Sequence, residues 1–211
     1  MGSRTVESNK AVLFKKLKLM NTNSSSIKIH HARTTGAYFL FAFLAYGLGR
    51  HFFESGRDSE KYIGSVLILS NSIMVLFIGI FLRKTLIQFN VLIGNIYLFT
   101  RVFEAIALAG IVLNLVPSMN IPNDYGYFLA MLVLGIGSIP MCFALYKHRI
   151  SPNWLALWGV MGYAFFAFGF LMEFLGKNWS MYLLAPGGLW EITFATWLVF
   201  KNGIKALSHA P

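Results

Sequence analysis

Apolar runs divide the chain into six stretches, each close to the roughly twenty residues a helix needs to cross a hydrocarbon core of about 30 Å. They fall at Thr35 to Phe53, Tyr62 to Leu82, Val91 to Val116, Tyr127 to Tyr146, Trp154 to Leu175 and Met181 to Phe200. Between them lie polar turns, Glu54 to Lys61, Arg83 to Asn90, Pro117 to Gly126, Lys147 to Asn153 and Gly176 to Ser180. Turns of these lengths are usual in helical bundles and make consecutive helices antiparallel. The pattern predicts an all-α fold, a polytopic integral membrane protein with a six-helix transmembrane bundle over residues 35–203. A basic tail precedes it at 1–34 and a short tail follows at 204–211.

Composition strengthens this reading. Hydrophobic residues make up 56% of the 211 and charged residues 12%, against roughly 25% charged in soluble domains, and the mean hydropathy is +0.61. A soluble core could not hide that much apolar surface. Phe and Gly are both abundant, supplying bulk and close-packing positions between membrane helices. The single Cys142 lies inside an apolar run, which excludes an internal disulfide and any CxxC pair.

Charge changes the picture by its placement. A net charge of +10 in a soluble protein would suggest nucleic acid, but here Lys and Arg flank the apolar runs, so a lipid bilayer is the expected partner and nucleic acid is not. The tail, Arg83, Lys84, Lys147, Arg149, Lys201 and Lys205 collect on one side; Arg57, Lys61 and Lys177 collect on the other, with Arg50 just inside its edge. The positive-inside rule then places both termini in the cytoplasm. Trp154, Trp158, Trp179 and Tyr182 fall near run ends, as an aromatic belt requires. In the tail, Val12, Leu13, Leu17 and Met20 recur at helical spacing among lysines. That suits either a short helix on an anionic leaflet or a basic segment that only sets orientation. No cleavable signal peptide is visible there.

Candidate chemistry comes from charges inside the runs, each costing about 2.5–3.5 kcal/mol at the centre of a span on insertion scales. Arg101 and Glu104 stand i and i+3 near the middle of the third run, and Glu191 and Asn71 have similar depth in the sixth and second. Glu173, Arg50 and His51 lie nearer the external surface. Together they outline an outward-facing polar cavity among spans one, three, five and six. Arg50 and Arg101 face three carboxylates, Glu104, Glu173 and Glu191, so one carboxylate is left to hold a proton, a cation or the amine of a ligand. The structural alternative is a static interhelical knot of Arg101, Glu104 and Glu191. Pro186, Gly187 and Gly188 predict a break or late start in the sixth helix, with Glu191 in its first turn. Pro140, beside Gly135 and Gly137, predicts a kink in the fourth helix that could line a cavity. Splitting the runs three and three sets Glu104 and Glu191 on corresponding helices of opposed halves, without supporting internal sequence similarity.

The segments "AYFLFAFLAYGLGRHFFES", "YLFTRVFEAIALA", "LAMLVLGIGSIPMCFALYK", "WLALWGVMGYAFFAFGFLMEFLG" and "PGGLWEITFATWLVFKN" resemble the bacterial domain-of-unknown-function 4386 family over about Ala37 to Gly203. Arg101 with Glu104, Gly135 to Ser138, Trp154 to Gly159, and Pro186 to Gly188 with Glu191 carry the likeness. The resemblance implies a multi-pass protein of a bacterial inner membrane. It implies no catalytic residue and no cofactor.

Several chemistries are argued against. His30, His31 and His209 lie in tails, and His51 and His148 at opposite membrane faces, so no metal site and no bis-His haem is expected. Asp58 and Asp124 lie in loops, and Ser138 lacks a GxSxG context. Three readings stand at this point. One is a protein that binds or transports a small ligand or proton through Arg101, Glu104 and Glu191. Another is a structural or regulatory membrane subunit, for which Ala45 with Gly49 and Ala105 with Ala109 offer close contacts within or between chains, a homo-oligomer included. The last is a membrane-embedded enzyme on a lipid, with Glu104 or Glu191 as general acid or base.

Overall fold

The computed structural model of the chain describes residues 31–55, 57–115 and 123–200. The tail at 1–30 with its lysine-flanked apolar positions, the turn at 116–122 and the C-terminal tail with Lys201 and Lys205 lie outside the described residues.

Among the described residues the fold is all helical. Helix α1 covers 31–54, followed by α2 (Asp58–Leu86), α3 (Val91–Gly110), α4 (Asn123–Lys147), α5 (Asn153–Phe174) and α6 (Ser180–Phe200). A short 3-10 segment, Ile111–Leu115, extends α3. Helices α2 to α6 are each long and apolar enough to cross a membrane. Such a helix satisfies its own backbone hydrogen bonds, the condition that hydrocarbon imposes.

Local chemistry sets the boundaries. Asp58 and Glu60 lie in the first turn of α2 and Arg83 and Lys84 in its last, matching the helix dipole at both ends. Asn90 caps α3, its Oδ1 accepting from the Ile93 amide at 3.1 Å. Gly176, at φ +73°, takes the left-handed conformation that ends α5.

Consecutive helices pack antiparallel. His31 meets Phe81 while Gly64 meets Gly49 and Phe53, so α1 runs against α2. Gly36 touches Ala195 and Val199, which seats α1 against α6 as well. Glycine allows the closest approaches. A Cβ on Gly162 would lie 3.1 Å from the Gly187 Cα, marking the crossing of α5 and α6. On α4, Gly135 faces Ala167 of α5, and a Cβ on Gly137 would collide with Thr100 of α3. Of the small-residue pairs, Ala45 and Gly49 are buried in the bundle, Gly49 against Gly64 and Ile68.

Large apolar side chains cover the outside. On α3, Leu92, Phe99 and Ile106 recur every seven residues and are all exposed, while Tyr97, Arg101 and Glu104 are buried. Polar groups inside and apolar groups outside is the arrangement of a helix with lipid on one face and protein on the other.

The break or late start expected at Pro186 does not occur. Helix α6 begins at Ser180 and continues through Pro186, and α4 continues through Pro140. Pro186, Gly187 and Gly188 therefore do not open a new helix beside Glu191. Gly187 serves the crossing with Gly162 instead, and neighbouring helices in a bundle support a helix that has lost one hydrogen bond.

Gly137→Ala should lower stability by about 1–3 kcal/mol through overpacking against Thr100. Gly47→Ala, with nothing within 4 Å of the added carbon, should be neutral or slightly stabilising. Thermal unfolding of the two detergent-solubilised variants beside wild type checks both; equal destabilisation would contradict the packing described.

Candidate functional site

The buried face of α3 sets the site. Tyr97, Arg101 and Glu104 stand at i, i+4 and i+7, so all three side chains meet on one side of the helix. Arg101 Nε donates to the Tyr97 hydroxyl at 2.8 Å and Nη1 donates to Glu104 Oε2 at 2.8 Å. Nη2 reaches other helices, donating to Glu191 Oε1 on α6 at 3.1 Å and, at a longer 3.4 Å, to the Tyr163 hydroxyl on α5. Tyr163 donates in turn to the same Glu191 oxygen at 2.6 Å. The guanidinium carbon lies 5.2 Å from the ring centres of both Phe39 on α1 and Tyr97. Its stem rests on α2, where a Cβ at Gly79 would lie 2.7 Å from the Arg101 Cβ.

Arg101 thus touches four other helices and is 2% exposed. It faces two carboxylates, so the cluster as ionised carries a formal charge of −1. Each carboxylate is tied down by one oxygen. Among the described residues, the second oxygens of Glu104 and Glu191 make no hydrogen bond.

Beside the cluster lies a cavity of about 440 Å³, walled by all six helices. Arg101, Glu104, Glu191 and Asn71 form its polar part, and Phe39, Phe43, Met131, Leu134, Phe166 and Leu184 contribute to an apolar remainder. Asn71 is 2% exposed, and its Nδ2 has no hydrogen-bond partner. A buried amide donor without an acceptor is costly, by about 1–3 kcal/mol. Asn71 thus lines the cavity with an amide donor that packing does not satisfy.

Two expected members lie elsewhere. Arg50 pairs with Glu54 one turn further along α1 and does not line the cavity. Glu173 accepts from the Ser180 amide at 3.1 Å and caps α6. Both sit near helix ends, where a local partner is within reach. Pro140, Pro186 and Gly187 do not line the cavity either, while Gly188 does. The spans named from sequence were one, three, five and six; Asn71 and Val75 on α2 and Tyr127, Met131 and Leu134 on α4 complete the wall.

Sequence reasoning missed Tyr97, Tyr163, Phe39 and Gly79. A signal existed for two. Tyr97 precedes Arg101 by four residues, and Tyr163 lies mid-helix, away from the interfacial belts where tyrosine is usually found. Phe39 and Gly79 carry no such mark among the many Phe and Gly of the chain. No group of three or more His, Cys, Asp or Glu able to hold a metal ion gathers among the described residues.

An all-helical interior charge site beneath an apolar surface defines a membrane protein. Residues 118–202 match the family described as Domain of unknown function (DUF4386), in agreement with that part of the resemblance read from the sequence. The match takes in α4, α5 and α6; residues 37–117, which include Arg101 and Glu104, lie outside it. No curated protein and no solved structure matches the chain.

Arg101→Met removes the partner of the buried Glu104 and the half-buried Glu191 and should cost about 3–5 kcal/mol. Tyr163→Phe, which removes the hydrogen bond to Glu191 and the longer one from Arg101, should cost about 1.5–3 kcal/mol. Unfolding measurements on the purified variants check the order; an Arg101 variant as stable as wild type would show that the pairs do not hold the bundle.

Proposed function

We propose that this protein binds a small ligand in the cavity between its six helices, with Arg101, Glu104, Glu191 and Asn71 as the recognising groups. The single observation that carries the reading is the conjunction of 440 Å³ of space with a polar cluster of unbalanced charge and an unpartnered amide at its edge. That volume falls within the roughly 300–1,000 Å³ of small-molecule sites. It far exceeds what a proton or bare cation requires, which favours an organic ligand. Movement of that ligand across the bilayer would make the protein a transporter; binding alone would suit a sensor or carrier.

A static packing role is the second reading, and one observation favours it. All three guanidinium nitrogens of Arg101 are already hydrogen bonded within the cluster. The cavity and the free Asn71 donor have no place in a fully paired knot, and for that reason we prefer the binding reading.

The same proposal includes topology. Helix α1 would be the first of six spans, since Phe41, Phe43, Leu44 and Leu48 present an exposed apolar surface like that of its neighbours. With the loops at 87–90 and 148–152 and both termini in the cytoplasm, the loop at 175–179 lies outside. In intact cells, a membrane-impermeant maleimide should label Lys177→Cys and leave Gln88→Cys unlabelled, with the buried Cys142 left in place. The opposite labelling pattern would reverse the orientation.

Thermal stability of the purified protein against a panel of small anions, amines and lipids tests the binding reading, with Glu191→Gln as the comparison. At least one compound should raise Tm by several degrees at roughly a hundredfold excess over Kd, and the substitution should abolish the rise. A flat response to every compound, with Glu191→Gln simply less stable throughout, would leave only the packing role.

A further inference from the structure

We infer that the ligand is a single-chain amphiphile with an amine head, admitted from the lipid through a gap between α1 and α6. The inference rests on the binding reading above and adds the chemical class of the ligand and its route.

The head follows from charge and hydrogen-bonding capacity. One guanidinium is set against two carboxylates, and no other Asp, Glu, Lys or Arg lines the cavity. An ammonium group brings the missing positive charge and can donate to the second oxygens of Glu104 and Glu191. An anionic head would instead meet two carboxylates and an arginine whose nitrogens are already engaged. Asn71 offers a donor, so a hydroxyl or carbonyl oxygen near the amine completes the match.

The tail follows from the rest of the wall, which is apolar, and the route follows from the seam between two helices. Toward the cytoplasmic end, α1 and α6 are in tight contact. A Cβ on Gly36 would lie 2.6 Å from the Ala195 carbonyl oxygen, and Phe39 meets Phe194 edge to face at 6.1 Å. Further along, the same seam loosens. A Cβ on Gly188 would only just touch the Phe43 ring, at 3.8 Å, and a Cβ on Gly47 would stand in open space with no neighbour within 4 Å; both glycines line the cavity. Phe43 and Leu189 line the cavity too, yet they are about half exposed, at 49% and 56%, on the lipid-facing surface. The cavity therefore has an edge on the membrane side. By contrast, Tyr46 and Tyr127 stack at 5.9 Å, with Tyr46 one turn from Arg50, across the way in from the external face. A water-soluble ligand would have to part that pair, whereas an amphiphile in the leaflet can slide its head inward between α1 and α6 and leave its tail among the lipids.

The test uses the full chain in mild detergent and four probes: N-dodecylethanolamine, dodecanol, dodecyl phosphate and ethanolamine. N-dodecylethanolamine should raise Tm, native mass spectrometry should show one copy bound, and the other three probes should bind at least about tenfold more weakly. Gly47→Trp, which fills the gap, should weaken binding of the amphiphile by a similar factor, with Ala185→Phe as the alternative if that variant does not fold. Glu191→Gln should also weaken it. If ethanolamine binds as tightly as the long-chain amine and Gly47→Trp has no effect, the lateral route is overturned while the binding site stands. Tighter binding of dodecyl phosphate would overturn the amine assignment alone. If none of the four probes binds, the inference fails, and the wider panel decides separately whether the binding reading fails with it.

Discussion

A guanidinium in the middle of a membrane protein has to be answered by the helices around it, and most of this structure can be read as that answer. Helix α3 supplies what it can from its own face: Tyr97 takes Nε and Glu104 takes Nη1. The remaining nitrogen points away from α3 and needs partners that only other helices can bring, Tyr163 from α5 and Glu191 from α6. Phe39 from α1 covers the flat face, and Gly79 on α2 leaves room for the stem. Without α5 and α6 the Nη2 donor of Arg101 would be left unmatched, at a cost of several kcal/mol.

Close packing and open space divide the bundle between them. Where α1 meets α6 near Gly36 and α5 crosses α6 at Gly162 and Gly187, glycines bring backbones together. Where α1 and α6 loosen near Gly47 and Gly188, the interior is left as a cavity with Asn71 at its edge. Pairing holds Arg101, Glu104 and Glu191 in fixed positions, with one guanidinium set against two carboxylates. In the proposed binding role these fixed positions would serve affinity too, because a preorganised site does not have to reorder its side chains to bind.

The helices themselves were legible in hydropathy and turn positions, and their ends shifted by only a few residues. Arg101 and Glu104 were legible as a pair because three residues along a helix puts them on one face, and Glu191 and Asn71 because polar side chains at mid-span demand a reason. Arg50 and Glu173 were misplaced. Depth along a span suggested the cavity, but each lies close enough to a helix end to find Glu54 or the Ser180 amide instead. The proline and glycines of α6 were read by their local conformational preference, and tertiary contact overrode it: the same Gly187 that weakens an isolated helix allows α5 to press against this one.

Hydrophobicity and periodicity are properties of single segments, so they were sufficient to decide that the chain makes long apolar helices, where those helices lie and that Arg101, Glu104 and Glu191 stand at mid-helix. Which helices stand side by side, that Tyr163 and Phe39 close around Arg101, and that α1 and α6 separate enough to leave a cavity were decided only in three dimensions. These depend on the rotation and tilt of each helix, set by contacts between residues as far apart in sequence as Arg101 and Glu191, and one segment's pattern carries no record of its distant partner.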